Sequence, residues 1–439
     1  MSVRRWAAGL AAGLVFVAAS FGVLAADPRP EPADAIRNWY GLVLELVRHT
    51  ATYSPPVAAR AMGYLGVALY EARATGSEHL LTLSGQLNGM PATPPREPGA
   101  TYDETVIVDA VMTFGVEKFF ANTGPTGQRA IAAARAKWNA DAAAGVPADV
   151  VQRSTDYGDQ VVAGIYKWSL DDGGAVIENM GFPVKYDLPK GPDKWVPTST
   201  VGQQQVPLLP YWGTVRPFAM PKGTSCPLPA PIPYSEDPNS AFYKEAMEVY
   251  TTVNSLTPEQ KATARFWSDD PMLSTTPPGH WMSIALQVAD QAKLSLDDRV
   301  ELMARMGIVE ADAFIGCWQA KYEYNLVRPI TYIRRLIDPK WDAFLITPPF
   351  PEYPSGHSTA SAAAATVLTA FFGDNFAFDD NTGSRDNLNP RKQPSFWAAA
   401  NEAGISRMLG GIHYRAAIEF GLDQGRCIGA YTVALKTRR

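Results

Sequence analysis

The chain has 439 residues, enough for two or three domains or for one large helical domain. Hydrophobic residues make up 46% and charged residues 19%, which is ordinary globular usage and excludes a globally disordered chain. The formal net charge is −5, so no basic excess is present to neutralise a phosphate backbone, and we expect no general nucleic-acid binding.

The first 25 residues are typical of a secretory signal peptide rather than of a folded element. Arg4 and Arg5 precede an apolar stretch from Trp6 to Ala25, which ends in small residues suited to cleavage. We therefore predict a periplasmic or secreted protein that has no membrane attachment after signal removal. A twin-arginine export signal and a retained membrane anchor are the alternatives.

Helical periodicity dominates the remaining sequence, and strand-like alternation is nearly absent. In an N-terminal half, residues 26–180, the pattern predicts helices near 35–50, 57–76, 102–121, 126–143 and 147–170. In a C-terminal half, residues 241–439, it predicts helices near 241–252, 258–267, 280–293, 296–326, 355–372, 395–409 and 416–435. The predicted fold class is therefore all-α.

A segment of different composition, residues 181–240, joins these halves. It contains 13 prolines between Gly181 and Pro238, so it cannot form regular helix. Trp195 and Trp212 make it too aromatic for a plain disordered linker. We predict an ordered, proline-rich loop that wraps between the two helical halves.

The three cysteines, Cys226, Cys317 and Cys427, are far apart and lack the spacing of a metal site. In an exported protein two of them can form a disulfide and leave the third free. Burial of all three as small apolar side chains is the alternative.

The first chemical motif is KYEYNLVRP, in which Lys321 and Arg328 are seven residues apart. This spacing is close to two helical turns, so both cations project from one helix face and can clamp an anion. Pro329 is expected to end the helix or to begin its exit. A solvated basic face is the alternative reading of this motif alone.

The second motif is PSGHS, which opens an alanine-rich segment ending at Gly373. Ser355 is a candidate N-cap, and a helix start offers free N–H groups and the positive end of the helix dipole to an oxyanion. Gly356 permits a close backbone approach, and His357 lies in the first turn. An ordinary cap with an incidental histidine is the alternative.

The third motif is SRMLGGIHYR, which carries Arg407 and His413. Two of the chain's five histidines thus lie in motifs suited to anion binding. Together the three motifs supply three cations, a serine, backbone N–H groups and two histidines, a set that fits a fully charged tetrahedral oxyanion.

In this order, K-x6-R-P, P-S-G-H and S-R-x5-H resemble the three-part signature of the type-2 phosphatidic acid phosphatase and vanadium haloperoxidase superfamily. The segments YSPPVAARAMGYLGVALYEA, WVPT, PYWGTVRPFAM and FWSDDP are similar to the bacterial vanadium-dependent haloperoxidases. The resemblance covers most of the chain after the signal peptide. It implies two four-helix-bundle-like halves, with the active site at the start of the 355–372 helix.

The resemblance also implies a vanadate cofactor and its ligands. His413 would coordinate vanadium, and the vanadate oxygens would be held by Lys321, Arg328, Ser355, Gly356 and Arg407. Lys321 and His357 would act in catalysis, His357 as the acid–base residue. The implied substrates are hydrogen peroxide and a halide, which yield hypohalous acid, with a small organic acceptor left open.

Three further residues match family positions outside the signature. Trp318 and Phe350 resemble a chloroperoxidase-type halide pocket, and Asp270 resembles an acid that pairs with Arg407. His280, in PGHW, is expected to be a helix-start or packing residue.

One position departs from the superfamily pattern, in which an aspartate commonly follows the last histidine by four residues. Ala417 occupies that position here. The departure weakens the main alternative, an exported acid phosphatase with His413 as nucleophile, because such a histidine benefits from an orienting acid. Glu419 or a backbone carbonyl is expected to support His413 instead.

Overall fold

The computed structural model describes residues 29–179, 185–199 and 205–439, so the predicted signal peptide lies outside the described residues. Helices dominate these ranges and confirm the all-α class. The helices of the N-terminal half are α1 Pro32–Arg48, α2 Pro55–Ala74, α3 Glu104–Phe119, α4 Pro125–Ala143, α5 Ala148–Ser169 and α6 Gly174–Asn179. Those of the C-terminal half are α7 Ala241–Asn254, α8 Pro258–Phe266, α9 Thr276–Gln291, α10 Leu296–Tyr324, α11 Pro329–Leu336, α12 Gly356–Phe372, α13 Phe396–Leu409 and α14 Arg415–Val433.

The helices pack as two bundles around a shared centre. In one bundle α3 contacts α1, α2 and α5; in the other α12 contacts α10, α13 and α14; and the long helix α10 packs along α2. Glycines permit this close crossing, since a Cβ on Gly66 would lie 2.8 Å from the Met303 carbonyl oxygen and one on Gly307 would lie 2.7 Å from that of Met62. Side chains of both bundles therefore belong to one continuous hydrophobic core.

Proline accounts for the main differences from the predicted helices. Pro329 does not merely end a helix, because it is the first residue of α11. Helix α9 begins at Thr276, ahead of the predicted residue 280, and takes Pro277 and Pro278 into its first turn. Proline is tolerated there because the first N–H groups of a helix have no intrahelical acceptor.

Two short strands, β1 (Phe378–Asp380) and β2 (Arg391–Gln393), were not predicted. They pair antiparallel, with Phe378 opposite Gln393 and Asp380 opposite Arg391. With three residues each, they are too short to show an alternating pattern in the sequence.

The described part of the proline-rich loop contains one short 3₁₀ helix, Trp212–Thr214, and is anchored by hydrogen bonds. Trp195 and Trp212 are both buried. The carboxylate of Asp312, on α10, accepts hydrogen bonds from the backbone N–H groups of Phe218, Ala219 and Met220, at 2.6 to 2.9 Å. The loop is thus attached to the central helix.

The cysteines match the first of the two alternatives, in which two form a disulfide and the third is free. Cys226, in the loop, forms a disulfide with Cys427, on α14, while Cys317 is buried with a free thiol. The disulfide ties the loop to the C-terminal bundle.

None of the helices in the described ranges combines the length and apolar character needed to cross a bilayer.

A buried acid on α10 generates a stability prediction. Glu310 is fully buried, and neither carboxylate oxygen has a hydrogen-bond partner in the described structure. Burial raises its pKa well above the usual 4.5. The folded state therefore holds a proton that the unfolded chain releases, so the buried Glu310 lowers the free energy of unfolding increasingly as pH rises above 4.5.

We expect Glu310→Met to raise the melting temperature, and the gain to increase with pH. The difference in unfolding free energy from the parent should grow by about 1.4 kcal/mol per pH unit while the parent's Glu310 stays protonated. Denaturant unfolding between pH 5 and 8 measures this. Glu323→Met, at an exposed site on the same helix, is the control, and a gain independent of pH would contradict the prediction.

Candidate active site

The second and third motifs predicted to carry chemistry line one cavity of about 560 Å³ next to the start of α12, and the first motif lies directly behind this lining. Lys321 comes from α10, Arg328 precedes α11, and Arg407 lies near the end of α13. Gly356, His357, Arg407 and His413 line the cavity directly. The structure therefore brings together residues that are up to 92 positions apart in the chain, from 321 to 413.

Lys321 lies beneath the segment that leads into α12. Its Nζ donates to the carbonyl oxygens of Pro351, at 2.9 Å, Glu352, at 3.0 Å, and Pro354. Burial, with the nearby charge of Arg328, lowers the pKa of Lys321 to about 7. The lysine thus fixes the approach to the helix start while adding positive charge there.

Arg328 and Arg407 are buried guanidinium groups held by backbone carbonyls. Arg328 donates through Nε to Phe350 O at 2.9 Å and through Nη1 to Ile412 O at 2.7 Å. Arg407 donates through Nη1 to the carbonyl oxygen of Trp267. Burial lowers the pKa of each arginine to about 10.

These cations lack anionic partners. In the described structure no carboxylate oxygen forms an ion pair with Lys321, Arg328 or Arg407, although buried charges are normally paired. Arg328 Nη2 and Arg407 Nε also have no hydrogen-bond acceptor. The site therefore has the charge and the free donors to bind an oxyanion.

The start of α12 supplies the predicted helix terminus. Ser355 is the N-cap, and its buried hydroxyl accepts a hydrogen bond from the Ser358 N–H at 3.2 Å. A Cβ on Gly356 would make only ordinary contacts, the nearest at 3.8 Å from Trp318. No protein neighbour thus requires glycine at this position, so any requirement for it would come from a bound group.

His413 is held by an acid that sequence analysis missed. Its Nδ1 lies 2.8 Å from Glu352 Oε1, and its Nε2 lies 3.1 Å from Arg328 Nη1. Arginine can only donate, so Nε2 carries the lone pair and Nδ1–H donates to Glu352. Burial and the charges of Arg328 and Lys321 lower the pKa of His413 well below its usual range, so the ring is neutral.

The support expected for His413 is therefore corrected. Glu419 is exposed and lies 3.7 Å from Arg415, away from His413. Ala417 contributes its carbonyl oxygen to the Ser355 N–H at 2.9 Å. One sequence feature could have identified Glu352 as this partner: it is the one acid in the proline-rich segment TPPFPEYP that leads into PSGH.

His357 approaches a second acid that was missed. Its Nε2 lies 3.4 Å from Asp269 Oδ2, without the geometry of a hydrogen bond. Burial, followed by the charge of Arg407, lowers the pKa of His357 to about 4, so the ring is neutral at pH 7. Asp269 is adjacent to Asp270, and the DD pair in FWSDDP was the signal for both.

Asp270 does not make the ion pair expected for it. It lines the cavity, but no contact within ion-pairing distance to Arg407 is present in the described structure. Burial raises its pKa, and the charge of Arg407 acts in the opposite direction. Asp270 therefore affects Arg407 only through the electric field.

Trp318 and Phe350 form an aromatic wall beside the cations. Their ring centroids lie 4.9 Å apart at an interplanar angle of 49°. The indole N–H of Trp318 donates to Leu208 O at 3.1 Å, which fixes the ring. Lys321 Nζ and the Arg328 guanidinium lie 5.0 and 5.1 Å from the centre of the Phe350 ring, so this ring covers both cations.

Comparison with known proteins identifies similar chains. A model of the second helical-bundle domain of vanadium chloroperoxidase matches residues 301–340 and 336–439. The crystal structure of the first bacterial vanadium-dependent iodoperoxidase is 36% identical, with a TM-score of 0.85 over 92% of this chain and 97% of that one. The chain belongs to the vanadium haloperoxidase family.

Two more distant vanadium haloperoxidases are also similar to this chain. Vanadium chloroperoxidase from Curvularia inaequalis is 27% identical over 219 residues, which span 36% of this chain and 36% of that protein. The holo-type bacterial vanadium-dependent chloroperoxidase shares the fold, with a TM-score of 0.70 at 14% identity over 88% of this chain and 92% of that one.

The Glu352–His413 pair generates a prediction about anion affinity. We expect Glu352→Gln to weaken vanadate binding by about 10- to 100-fold, because the amide can present either its oxygen or its NH2 group to Nδ1 and so no longer favours one tautomer and orientation of His413. Isothermal titration of the apo-protein with vanadate measures this. Glu419→Gln is the matched control and should bind as the parent does. Equal affinity in Glu352→Gln and the parent would contradict the assignment.

Proposed function

We propose that this protein is a vanadate-dependent haloperoxidase that oxidises halide with hydrogen peroxide to hypohalous acid. The observation that carries the proposal is the cluster of three buried cations that have no carboxylate partner beside the Nε2 lone pair of His413. The names of the family relatives, iodoperoxidase and chloroperoxidase, support the same reaction class.

Vanadate fits the donor set of this cavity. Arg328 Nη2 and Arg407 Nε are donors without acceptors, and Gly356 adds the start of α12. With Lys321 and Ser355 they would hold the oxyanion, while His413 Nε2 would coordinate the metal. Bound vanadate supplies a Lewis acid that activates peroxide toward attack by halide.

The protein's own contribution is to place charge and protons. The cations neutralise negative charge that builds up on oxygen, in a buried site where the interaction is strong. His357, neutral at pH 7, can take a proton from incoming peroxide and return one to the leaving oxygen. Lys321, whose pKa is lowered to about 7 by burial, adds partial positive charge next to this exchange at pH 7.

The aromatic wall is proposed to receive the halide. Trp318 and Phe350 are large and apolar, and they lie next to the cations that would attract a halide ion. Such a wall removes water from the ion, a step that is hardest for chloride, which holds its hydration most firmly. Iodide should therefore be oxidised first and chloride last.

The acid phosphatase alternative receives no support from the family relatives, which are haloperoxidases. The alanine at position 417 does not, however, count against a phosphatase in the folded protein. Glu352 supplies the orienting acid that Ala417 lacks, and it would serve a nucleophilic His413 equally well. The names of the family relatives, and not that position, support the haloperoxidase reaction over the phosphatase reaction.

Export to the periplasm or the exterior is proposed on two grounds. Residues 1–25 have the pattern of a signal peptide. The disulfide between Cys226 and Cys427 is typical of proteins that fold in an oxidising compartment.

Vanadate should switch on halide oxidation in the apo-protein, and phosphate should compete with it for the same cations. Halide oxidation with peroxide, assayed with and without vanadate and at increasing phosphate, tests the proposed function. His413→Ala should lose the activation, and hydrolysis of a phosphate ester should stay at background. A rate of halide oxidation that does not change when vanadate is added would contradict the proposal.

Removal of the aromatic wall should change halide selectivity more than vanadate affinity. We expect Phe350→His or Trp318→Ala to lower chloride and bromide oxidation relative to iodide by about tenfold, which corresponds to about 1.4 kcal/mol of lost desolvation or positioning. The ratio of kcat/KM values for the three halides is the measurement, with vanadate titration as its control. Parental ratios in both variants would show that the aromatics only pack.

A further inference from the structure

A buried charged array lies behind His357. His280, on α9, is 1% exposed, with Nδ1 2.9 Å from Asp269 Oδ1 and Nε2 2.8 Å from Asp380 Oδ2. Both ring nitrogens face carboxylate oxygens, so both carry protons and the ring is an imidazolium. Trp267 stacks on this ring at 4.4 Å with an interplanar angle of 13°.

The array leaves one oxygen directed at the active site. Asp380 uses Oδ1 to accept from the Thr382 N–H at 3.0 Å and Oδ2 to accept from His280. Asp269 uses Oδ1 for His280, whereas its Oδ2 is buried without a hydrogen bond, 3.4 Å from His357 Nε2. Of the four carboxylate oxygens, the one without a hydrogen bond therefore faces the proposed acid–base residue.

Backbone strain also marks this position. Asp269 has a φ of 50°, in the left-handed region that non-glycine residues rarely occupy. Such strain persists only where surrounding contacts impose it, and it is concentrated at functional sites. In this conformation Asp269 Oδ1 lies 2.9 Å from His280 Nδ1.

We propose that His280 and Asp380 are positioning residues for the haloperoxidase reaction. They hold Asp269 so that its Oδ2, 3.4 Å from His357 Nε2, favours the tautomer with the proton on Nε2 and leaves Nδ1 as the nitrogen that exchanges protons. This inference rests on the proposed function. It replaces the sequence-based expectation that His280 serves only in packing.

The surrounding charges favour this role over a merely structural one. A buried array of three charges is costly, and apolar residues of similar volume commonly stabilise a fold as well or better. The groups that act on the charge of His357 are Arg407, Asp269 and His280, and of these only Asp269 favours its protonation. Burial lowers the pKa of His280, but the two carboxylates outweigh this and raise it to about 10, so its charge persists.

A double-mutant cycle tests whether His280 acts through Asp269. We expect His280→Gln and Asp269→Asn each to lower kcat by about 10- to 100-fold, while KM for halide and the vanadate Kd change little. The double variant should be no slower than Asp269→Asn alone, because the two substitutions remove the same interaction. Additive losses, or an unchanged kcat in His280→Gln, overturn the proposal.

His49→Gln is the matched control. His49 lines the neighbouring cavity that His280 and Asp269 also line, but it is exposed and lies near Glu45. Its substitution should leave kcat at the parental value. Thermal melts of each variant, with active molecules counted by vanadate titration, separate lost turnover from lost folding.

NMR of the imidazole nitrogens in the ¹⁵N-histidine apo-protein tests the proposal without any measurement of enzyme activity. His280 should carry protons on both nitrogens at pH 8, and His357 should carry its proton on Nε2. In Asp380→Asn the His357 proton should become divided between the two nitrogens. A neutral His280 at pH 7, or an unchanged His357 in that variant, overturns the proposal. A parent that fails to oxidise halide with vanadate instead refutes the proposed function.

Discussion

The excess of buried positive charge at the start of α12 is the constraint on which the rest of the structure depends. Lys321, Arg328 and Arg407 are all removed from water, and each is held by backbone carbonyl oxygens rather than by a carboxylate. Carbonyl dipoles offset part of the desolvation cost and leave the net charge in place. The proline-rich segment 347–354 supplies most of these carbonyls, so its course is dictated by the cations beneath it. A folded protein that keeps such charge uncompensated is built to receive an anion.

His413 and His357 both lie near this positive charge, but they differ in how a neighbouring acid holds them. Glu352 holds His413 at hydrogen-bond distance and sets its tautomer, which directs a lone pair toward the cations. Asp269 lies farther from His357, at 3.4 Å, and belongs to a separate charged array. His413 is therefore held in one tautomer by a direct hydrogen bond, whereas His357 has no hydrogen bond to its acid.

The sequence predicted the helices, the three motifs and their convergence because these depend on local periodicity and on spacings within short segments. It could not predict Glu352 or Asp269 as partners, since each lies in a proline-rich or irregular segment where periodicity gives no direction for a side chain. The sequence predicts His280 only as a helix-start or packing residue, because its two acids are 11 and 100 positions away. The missing ion pair of Asp270 shows the same limit, because adjacent acids point to different neighbours.

The attachment of the proline-rich loop to α10 affects how the protein can be divided. The Leu208 carbonyl oxygen accepts hydrogen bonds from both Trp318 and Tyr322, and the Leu208 N–H donates to Pro349 O at 2.8 Å. One peptide position of the loop thus joins the aromatic wall to the segment above the cations. An isolated C-terminal half would keep every signature residue and lose this junction. When domains are exchanged between relatives, the junction should therefore lie before the loop. The loop then stays in the same domain as α10, to which it is hydrogen-bonded.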